Sequence, residues 1–173
     1  MTEEQLKFPI GKFTPPAEYT ATAIDGFIND IKELPTNLRK VAATLTEEQL
    51  ETPYRPGGWT LRQVIHHLAD SHMHSLIRFK WALTEDTPTI KAYNQDSWAK
   101  LQDSKLPIEP SLVMLDGIHQ RLVALFEGFT ATDWDRVFVH PETGAHTPLK
   151  RNLAIYAWHG KHHLAHISVV IGD

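Results

Sequence analysis

The sequence predicts an all-α fold, a four-helix bundle with a long crossover, and three observations support this prediction. Apolar residues recur at steps of three and four in four long segments, which is the spacing of one face of an amphipathic helix. A connection with several prolines, 84–110, separates the second of these segments from the third. The 173 residues fit one domain, 1–173, which can bury about two thirds of its unfolded surface without disulfide bonds.

The domain is expected to begin with an extended N-terminal arm, 1–17, before the first long helix. Residues that disfavour regular structure interrupt this arm at Pro9, Gly11, Pro15 and Pro16. A helical stripe of apolar residues follows, from about Glu18 to Leu45. Pro35 lies within the stripe and is expected to kink or split the helix, because proline has no backbone N–H to donate.

Two capping boxes mark the next helix starts. Thr46 with Gln49 opens a short helical turn, and Thr60 with Gln63 opens the second long helix, which reaches about residue 83. In each box the threonine hydroxyl accepts from a backbone N–H while the glutamine side chain reaches back to the threonine N–H. The apolar stripe of this second long helix includes His72.

The long connection is expected to contain a short helix at about 95–101. Ser111 is predicted to cap the third long helix, which ends near Gly128. The segment 137–144 indicates a small β-hairpin. Thr147-Pro148 then provides an N-cap and a first helical position for the last helix, which continues to about Ile171. Four long helices and little else predict a single bundle.

Composition argues against several classes of partner. The 17 basic and 21 acidic side chains are interspersed and give a net charge of −4, so no basic surface for nucleic acid is expected. No apolar run approaches the length of a membrane span, and the first residues are polar, so neither membrane insertion nor export is expected. The chain has no cysteine, which fits a reducing compartment and a cytoplasmic location.

Histidines cluster in two distant segments of the chain. Eight of the 11 histidines lie within 66–74 and 159–166. In the second segment His159 and His163 are four residues apart, so they share one helix face with Cβ atoms about 5–6 Å apart. From that separation two ring nitrogens can bind one ion at about 2.0–2.1 Å each. A histidine of the first segment is expected to supply a third ligand from a facing helix.

Spacing alone does not choose between two pairs on the last helix. His162 and His166 are also four residues apart, and both pairs continue apolar stripes. Histidines that only hydrogen-bond at a helix interface are a further interpretation. A bound ion is favoured because burying several imidazoles costs free energy unless each has a partner, and one ion satisfies three of them.

The last helix does not match the H-E-x-x-H metalloproteases. Gly160 stands where the glutamate base would follow the first histidine. Any proton-transfer group must therefore come from elsewhere, and the nearest candidates are Asp70, one turn after His67, and His162. For Asp70 the favoured role is to accept a hydrogen bond that orients a ligand histidine.

Three segments form a recognisable combination, Thr52–Thr60, Arg62–His72 and Trp158–His163. Two shorter segments, Phe8–Gly11 and Arg78–Lys80, accompany it. The combination resembles the DinB-like superfamily and, within it, the YfiT-type metal-dependent hydrolases. The resemblance extends over almost the whole chain.

The resemblance implies a four-helix bundle, usually dimeric, with one divalent ion held by three histidines. In this family the ligands are the second histidine of a His-His pair and two histidines four apart on the last helix, directly after a tryptophan. By motif these correspond to His67, His159 and His163, while His162 and His166 lie in or beside the pocket. Imidazole suits zinc, which we expect here, and also nickel and other transition metals.

Three protein ligands leave a position for water or substrate, as in catalytic zinc sites. The expected function is metal-dependent hydrolysis of an ester-like or amide-like bond of a small molecule, by water whose pKa is lowered toward about 7. The first alternative is an S-transferase that conjugates a small thiol to an electrophile. The resemblance implies it, because other members of the superfamily look like enzymes that transfer small thiols such as bacillithiol. The second alternative is a metal-binding stress-response protein without turnover.

Overall fold

The computed structural model describes residues 1–172. Asp173, the last residue of the predicted domain, lies outside the described residues. The helices are α1 (Glu3–Lys7), α2 (Ala21–Ala42), α3 (Glu47–Leu50), α4 (Leu61–Thr84), α5 (Gln95–Trp98), α6 (Glu109–Glu127) and α7 (Leu149–Ile171). Two 3-10 helices span Gln102–Lys105 and Asp133–Asp135, and strands β1 (Val137–Val139) and β2 (His146–Pro148) pair antiparallel.

The four long helices form a bundle in which each packs against two neighbours. Helix α2 packs against α6 and α7, and α4 packs against the same two helices from the other side. The predicted all-α class and the small hairpin are thus confirmed. Among residues 1–172, no helix is both long enough and apolar enough to cross a membrane.

The N-terminal arm contains one element that the sequence analysis missed. Helix α1 starts at Glu3, because the Thr2 hydroxyl accepts from the Gln5 N–H and the Gln5 side chain accepts from the Thr2 N–H. This is a capping box of the kind found at Thr46 and Thr60, so the same signal was present in the sequence. From Phe8 onward the arm has no regular structure until α2 begins.

Three long helices begin or continue differently from expectation. Helix α7 begins at Leu149, with Pro148 as its N-cap, whereas Pro148 was expected as its first helical residue and Thr147 as its cap. Helix α2 runs unbroken through Pro35, which is buried, instead of splitting there. Helix α6 begins two residues before Ser111, with Pro110 in its first turn, so Ser111 does not cap it. The Ser111 hydroxyl instead lies 2.7 Å from Nδ1 of His66, a contact that links α6 to α4.

The apolar core consists of two clusters separated by a layer of histidines. One cluster surrounds Phe79 and Leu153, and the other surrounds Leu68 and Leu115. Between these clusters, α4, α6 and α7 contribute buried or half-buried imidazoles at His67, His72, His119, His159, His163 and His166. Because buried polar groups without partners are costly, each of these imidazoles is expected to have a hydrogen-bond partner or a bound ion. The hydrogen bonds of this layer therefore show which nitrogens remain available to bind an ion.

Candidate metal centre

Helices α4 and α7 bring the three predicted ligands together. Nε2 of His159 lies 3.2 Å from Nε2 of His67 and 3.2 Å from Nε2 of His163. The three ligand atoms all lie within 4.8 Å of one another. In the part of the chain that the structure describes, no fourth histidine or carboxylate completes this group. The arrangement is the one expected of three ligands around one ion with a side left free.

Local packing on α7 and before α4 positions the candidate ligands. Gly160 follows the first ligand of α7, and a Cβ atom there would lie 2.7 Å from Cδ2 of Leu34 on α2. Glycine therefore lets α2 and α7 pack at short distance beside the site. Just before α4, the Trp59 ring lies 4.6 Å from the His67 ring of that helix and packs against it. The capping box at Thr60 starts α4 directly after this tryptophan.

A chain of hydrogen-bonded histidines connects His159 to the backbone of α2. Because Pro35 has no N–H, the carbonyl of Ile31, four residues earlier, lacks its usual helical donor. That carbonyl accepts from Nδ1–H of His119 instead. Nε2 of His119 lies 2.9 Å from Nδ1 of His72, and Nε2 of His72 lies 3.2 Å from Nδ1 of His159. Pro35 therefore leaves the Ile31 carbonyl free to accept the last hydrogen bond of this series of histidines.

The position of each proton in this chain follows from its ends. Burial lowers the pKa of His119 to about 4 and lowers the pKa values of His72 and His159 well below their ordinary value, so each ring is neutral at pH 7. A carbonyl only accepts, so His119 carries its proton on Nδ1 and accepts from His72 at Nε2. His72 in turn accepts from Nδ1–H of His159. Nε2 of His159 therefore presents a lone pair.

A second, shorter chain fixes His163 in the same way. Nε2–H of His166 donates to the backbone carbonyl of Lys7 in α1, over 3.3 Å. Burial lowers the pKa of His166 to about 4 and that of His163 well below its ordinary value, so both rings are neutral. Nδ1 of His166 then accepts from Nδ1–H of His163 over 3.2 Å. Nε2 of His163 also presents a lone pair.

These proton positions test whether a metal ion fits the site. The Nε2 atoms of His159 and His163 are 3.2 Å apart, yet neither carries a proton, so the contact cannot be a hydrogen bond. Two facing lone pairs are unfavourable unless a cation lies between them. Two nitrogens bound at about 2.0–2.1 Å in tetrahedral geometry lie about 3.3–3.4 Å apart, close to the observed distance. The donor set therefore fits a divalent transition-metal ion.

The competing cluster on α7 has a different role. His162, His163 and His166 also lie close enough together to suggest a metal group. However, Nδ1 of both His163 and His166 is used in the hydrogen bond between them. The His162 ring stacks on Trp158 at 4.5 Å, and its Nδ1 is buried with no partner among residues 1–172. Burial lowers the pKa of His162 to about 4, and its proposed part in proton transfer stays a prediction.

Asp70 lies away from the ligand nitrogens. Burial, assisted by the charge of Asp103, raises the pKa of Asp70 to about 6. Within residues 1–172 its carboxylate makes no hydrogen bond to a histidine, and it does not line the cavity at the candidate ligands. The side chains that hydrogen-bond to candidate ligands are His72, which contacts His159, and His166, which contacts His163. The sequence analysis placed His72 in an apolar stripe, and a histidine within such a stripe is the signal that could have identified it.

Two cavities reach the candidate centre. The first, of about 790 Å³, is lined by all three ligands, with walls that include Trp59 and Trp158. The second, of about 650 Å³, adjoins the first at Gln95, Asp96 and His159, which line both, and is also lined by Tyr156. Volumes of this size are typical of small-molecule sites. The face of the ligand group not covered by protein therefore opens to space that a small molecule can enter.

Comparison with known proteins assigns the family. The sequence profile of the DinB superfamily matches residues 30–167. A protein of Bacillus cereus strain B4264 named "Putative metal-dependent hydrolase" is 53% identical over 163 residues, which cover 94% of each chain. A Bacillus mycoides strain KBAB4 protein of the same name is 50% identical over 165 residues, covering 95% of each chain.

A solved structure supports the same assignment. YfiT from Bacillus subtilis, described as a probable metal-dependent hydrolase with an unusual four-helix bundle topology, superposes with a TM-score of 0.93. The two chains are 43% identical, and the match covers 96% of this chain and 95% of YfiT. The likeness therefore extends over the bundle, the crossover and the helices that carry the three histidines. The chain belongs to the DinB superfamily.

Proposed function

We propose that this protein is a metal-dependent hydrolase in which His67, His159 and His163 hold one divalent ion, with zinc the best match to three imidazoles. The observation that carries the proposal is the 3.2 Å distance between Nε2 of His159 and Nε2 of His163, two rings whose other nitrogens are used in hydrogen bonds to His72 and His166. The names of the relatives support the same activity.

The residues around the candidate ligands have two tasks in such a site. When bound, the ion supplies Lewis-acid chemistry that lowers the pKa of water toward about 7 and polarises a carbonyl group. The chains through His72 and His166 keep the proton of each α7 ligand on Nδ1, so that Nε2 remains a donor to metal. Trp59 and Trp158 wall the cavity and exclude bulk water from one side of the substrate. The open side accepts the substrate.

The size of the cavities supports a small-molecule substrate. A homodimer, which the family resemblance implies, remains part of the proposal. Size-exclusion chromatography with light scattering on the intact chain would measure it directly. A mass of one chain, 19.7 kDa, at micromolar concentration would contradict the dimer without affecting the metal site.

The central experiment measures metal content and turnover on the same preparations. Protein purified without a histidine tag is loaded with Zn²⁺, Ni²⁺ or Mn²⁺ and assayed on esters and amides. The expected result is about one ion per chain and ester hydrolysis that His163→Ala abolishes. His146→Ala is the matched control, because His146 is an exposed histidine on β2 that lines neither cavity.

The same assay separates the other two interpretations. A reaction that needs a low-molecular-weight thiol and an electrophile identifies the S-transferase and rules out the hydrolase. Tight metal binding without any turnover on esters, amides or thiol mixtures supports the metal-binding protein. Hydrolysis that persists in His163→Ala contradicts the proposal.

A further inference from the structure

Polar side chains continue from the three ligands along the interface of α4 and α7. These helices run antiparallel, so successive turns face each other in pairs. The Ser71 hydroxyl lies 3.5 Å from the Tyr156 hydroxyl, and one turn further on the Asn152 amide donates to the Ser75 hydroxyl over 3.3 Å. Arg78 reaches back to the same level, where its Nη1 donates to the Tyr156 hydroxyl over 3.4 Å. The Arg78 guanidinium thus contacts Tyr156, which borders the histidine layer.

Arg78 lacks the carboxylate partners that two other partly buried arginines, Arg39 and Arg62, have. Arg39 and Arg62 each form ion pairs with two carboxylates. For Arg78, none of the residues 1–172 supplies a carboxylate at ion-pair distance, and its Nε is buried without a hydrogen-bond partner. A half-buried guanidinium with an unsatisfied N–H is costly unless an anion joins it. The missing partner of Arg78 is therefore expected to be an anionic small molecule that binds to the protein.

The second cavity provides room for this ligand. Arg78, Tyr156 and Asn152 line its 650 Å³, and so does His159. Tyr156 precedes His159 by three helical residues, a rise of about 4.5 Å. The Tyr156 and His159 ring centroids are 5.6 Å apart, so a small molecule whose anionic end meets Arg78 at the Tyr156 hydroxyl can extend to the candidate ligands. The phenol of Tyr93, which burial keeps protonated by raising its pKa to about 12, adds a further donor to the wall.

We propose that Arg78 and Tyr156 form a subsite for the carboxylate of the substrate, with the reacting carbonyl at the His67, His159 and His163 centre. The inference rests on the proposed function, which it extends to a substrate class: small esters or amides of dicarboxylic acids or of acylated amino acids. Arginine binds a carboxylate through two parallel N–H donors.

Charge favours a carboxylate over a phosphate at this subsite. Arg78 is the one formal positive charge that lines the second cavity, among the residues described. Asp96 and Glu142, both exposed, lie at the same cavity and repel a dianion more than a monoanion. One guanidinium with neutral hydroxyl and amide donors matches a single negative charge.

A binding experiment tests the subsite independently of turnover. Succinate, succinamide and inorganic phosphate are titrated by calorimetry into the zinc-loaded wild type, Arg78→Gln, Arg78→Lys and Arg121→Gln. Arg121 is the matched control, because it is an exposed arginine on α6. Succinate is expected to bind wild type and Arg121→Gln alike and Arg78→Gln about tenfold or more weakly, with partial recovery in Arg78→Lys. Far-UV circular dichroism and melting temperature verify the fold of each variant.

A paired activity assay connects the subsite to the reaction. Mono-4-nitrophenyl succinate and 4-nitrophenyl butyrate have acyl groups of equal length, and only the first carries a carboxylate. The ratio of their kcat/KM values should favour the succinate ester in wild type and fall about tenfold or more in Arg78→Gln. If neither ester is hydrolysed but succinate binding depends on Arg78, the hydrolase fails and the subsite stands. Equal succinate binding by wild type and Arg78→Gln, or tighter Arg78-dependent binding of phosphate, overturns the carboxylate subsite.

Discussion

Replacing His119 by leucine is expected to weaken metal binding at His159, although His72 stands between the two rings. His119 is 2% exposed and joins the free carbonyl of Ile31 to Nδ1 of His72. Without it, His72 can turn its proton toward His159, and His159 then moves its own proton to Nε2. Protonated Nε2 cannot bind a metal ion.

The structure sets two magnitudes for this substitution. Losing a group that orients a metal-bound histidine lowers metal affinity by about 10- to 100-fold, or about 1.4–2.8 kcal/mol. Two buried groups, the Ile31 carbonyl and Nδ1–H of His72, lose their partner, at about 1–3 kcal/mol each in the free energy of unfolding. His119→Gln should recover much of both losses, because one amide can donate to the carbonyl and accept from His72.

Two measurements check this expectation. Zinc affinity is measured by competition with a chromogenic chelator, and the tautomer of each histidine is read from long-range ¹H–¹⁵N spectra of the metal-free protein. Wild type should show His159 and His163 as Nδ1–H tautomers, and His119→Leu should shift His159 toward Nε2–H while His163 is unchanged. Unaltered zinc affinity together with an unaltered His159 tautomer in a folded His119→Leu variant would refute the reasoning.

Three further predictions address the second chain, the helix approach and pH. His166→Ala should lower zinc affinity about 10- to 100-fold in the same competition assay and shift the tautomer of the neighbouring ligand, whereas equal affinity would separate α1 from the site. Gly160→Ala should lower the free energy of unfolding, measured by urea titration, by about 1–3 kcal/mol, because the new Cβ would overlap Leu34. The control is Gly117→Ala on α6, where a Cβ meets nothing within 4 Å, and this substitution should be neutral or stabilising. Burial lowers the pKa of His119 from 6.5 to about 4. Between these pH values the imidazole is protonated in the unfolded chain but neutral in the folded chain. The free energy of unfolding therefore decreases as the pH falls from 6.5 to 4. In metal-free protein this loss should be about 3 kcal/mol greater for wild type than for His119→Gln, and parallel pH profiles would contradict it.

Much of the fold followed from local rules in the sequence. Apolar spacing located the four long helices, and the capping boxes at Thr46 and Thr60 gave the starts of α3 and α4 to the residue. The same rule applied to Thr2 would have found α1. Ser111 was misjudged because its hydroxyl is used by His66, a tertiary contact that capping preferences do not include.

The candidate site was only partly accessible from sequence. Helical spacing left two pairs open on α7, and the choice of His159 and His163 came from resemblance to a family. The structure supplies a physical reason, since His166 uses both its nitrogens in holding His163. The link from Pro35 to His119 could not be predicted, because it depends on which residue of α6 faces a carbonyl of α2 in the packed bundle.

Diffraction from crystals of tag-free, zinc-loaded protein, recorded on both sides of the zinc absorption edge, tests the central claim most directly. The account predicts one anomalous peak per chain, bound by Nε2 of His67, His159 and His163 and open toward the first cavity. A peak bound by His162 and His166, a fourth protein ligand that closes the ion, or no peak at the three Nε2 atoms would contradict it.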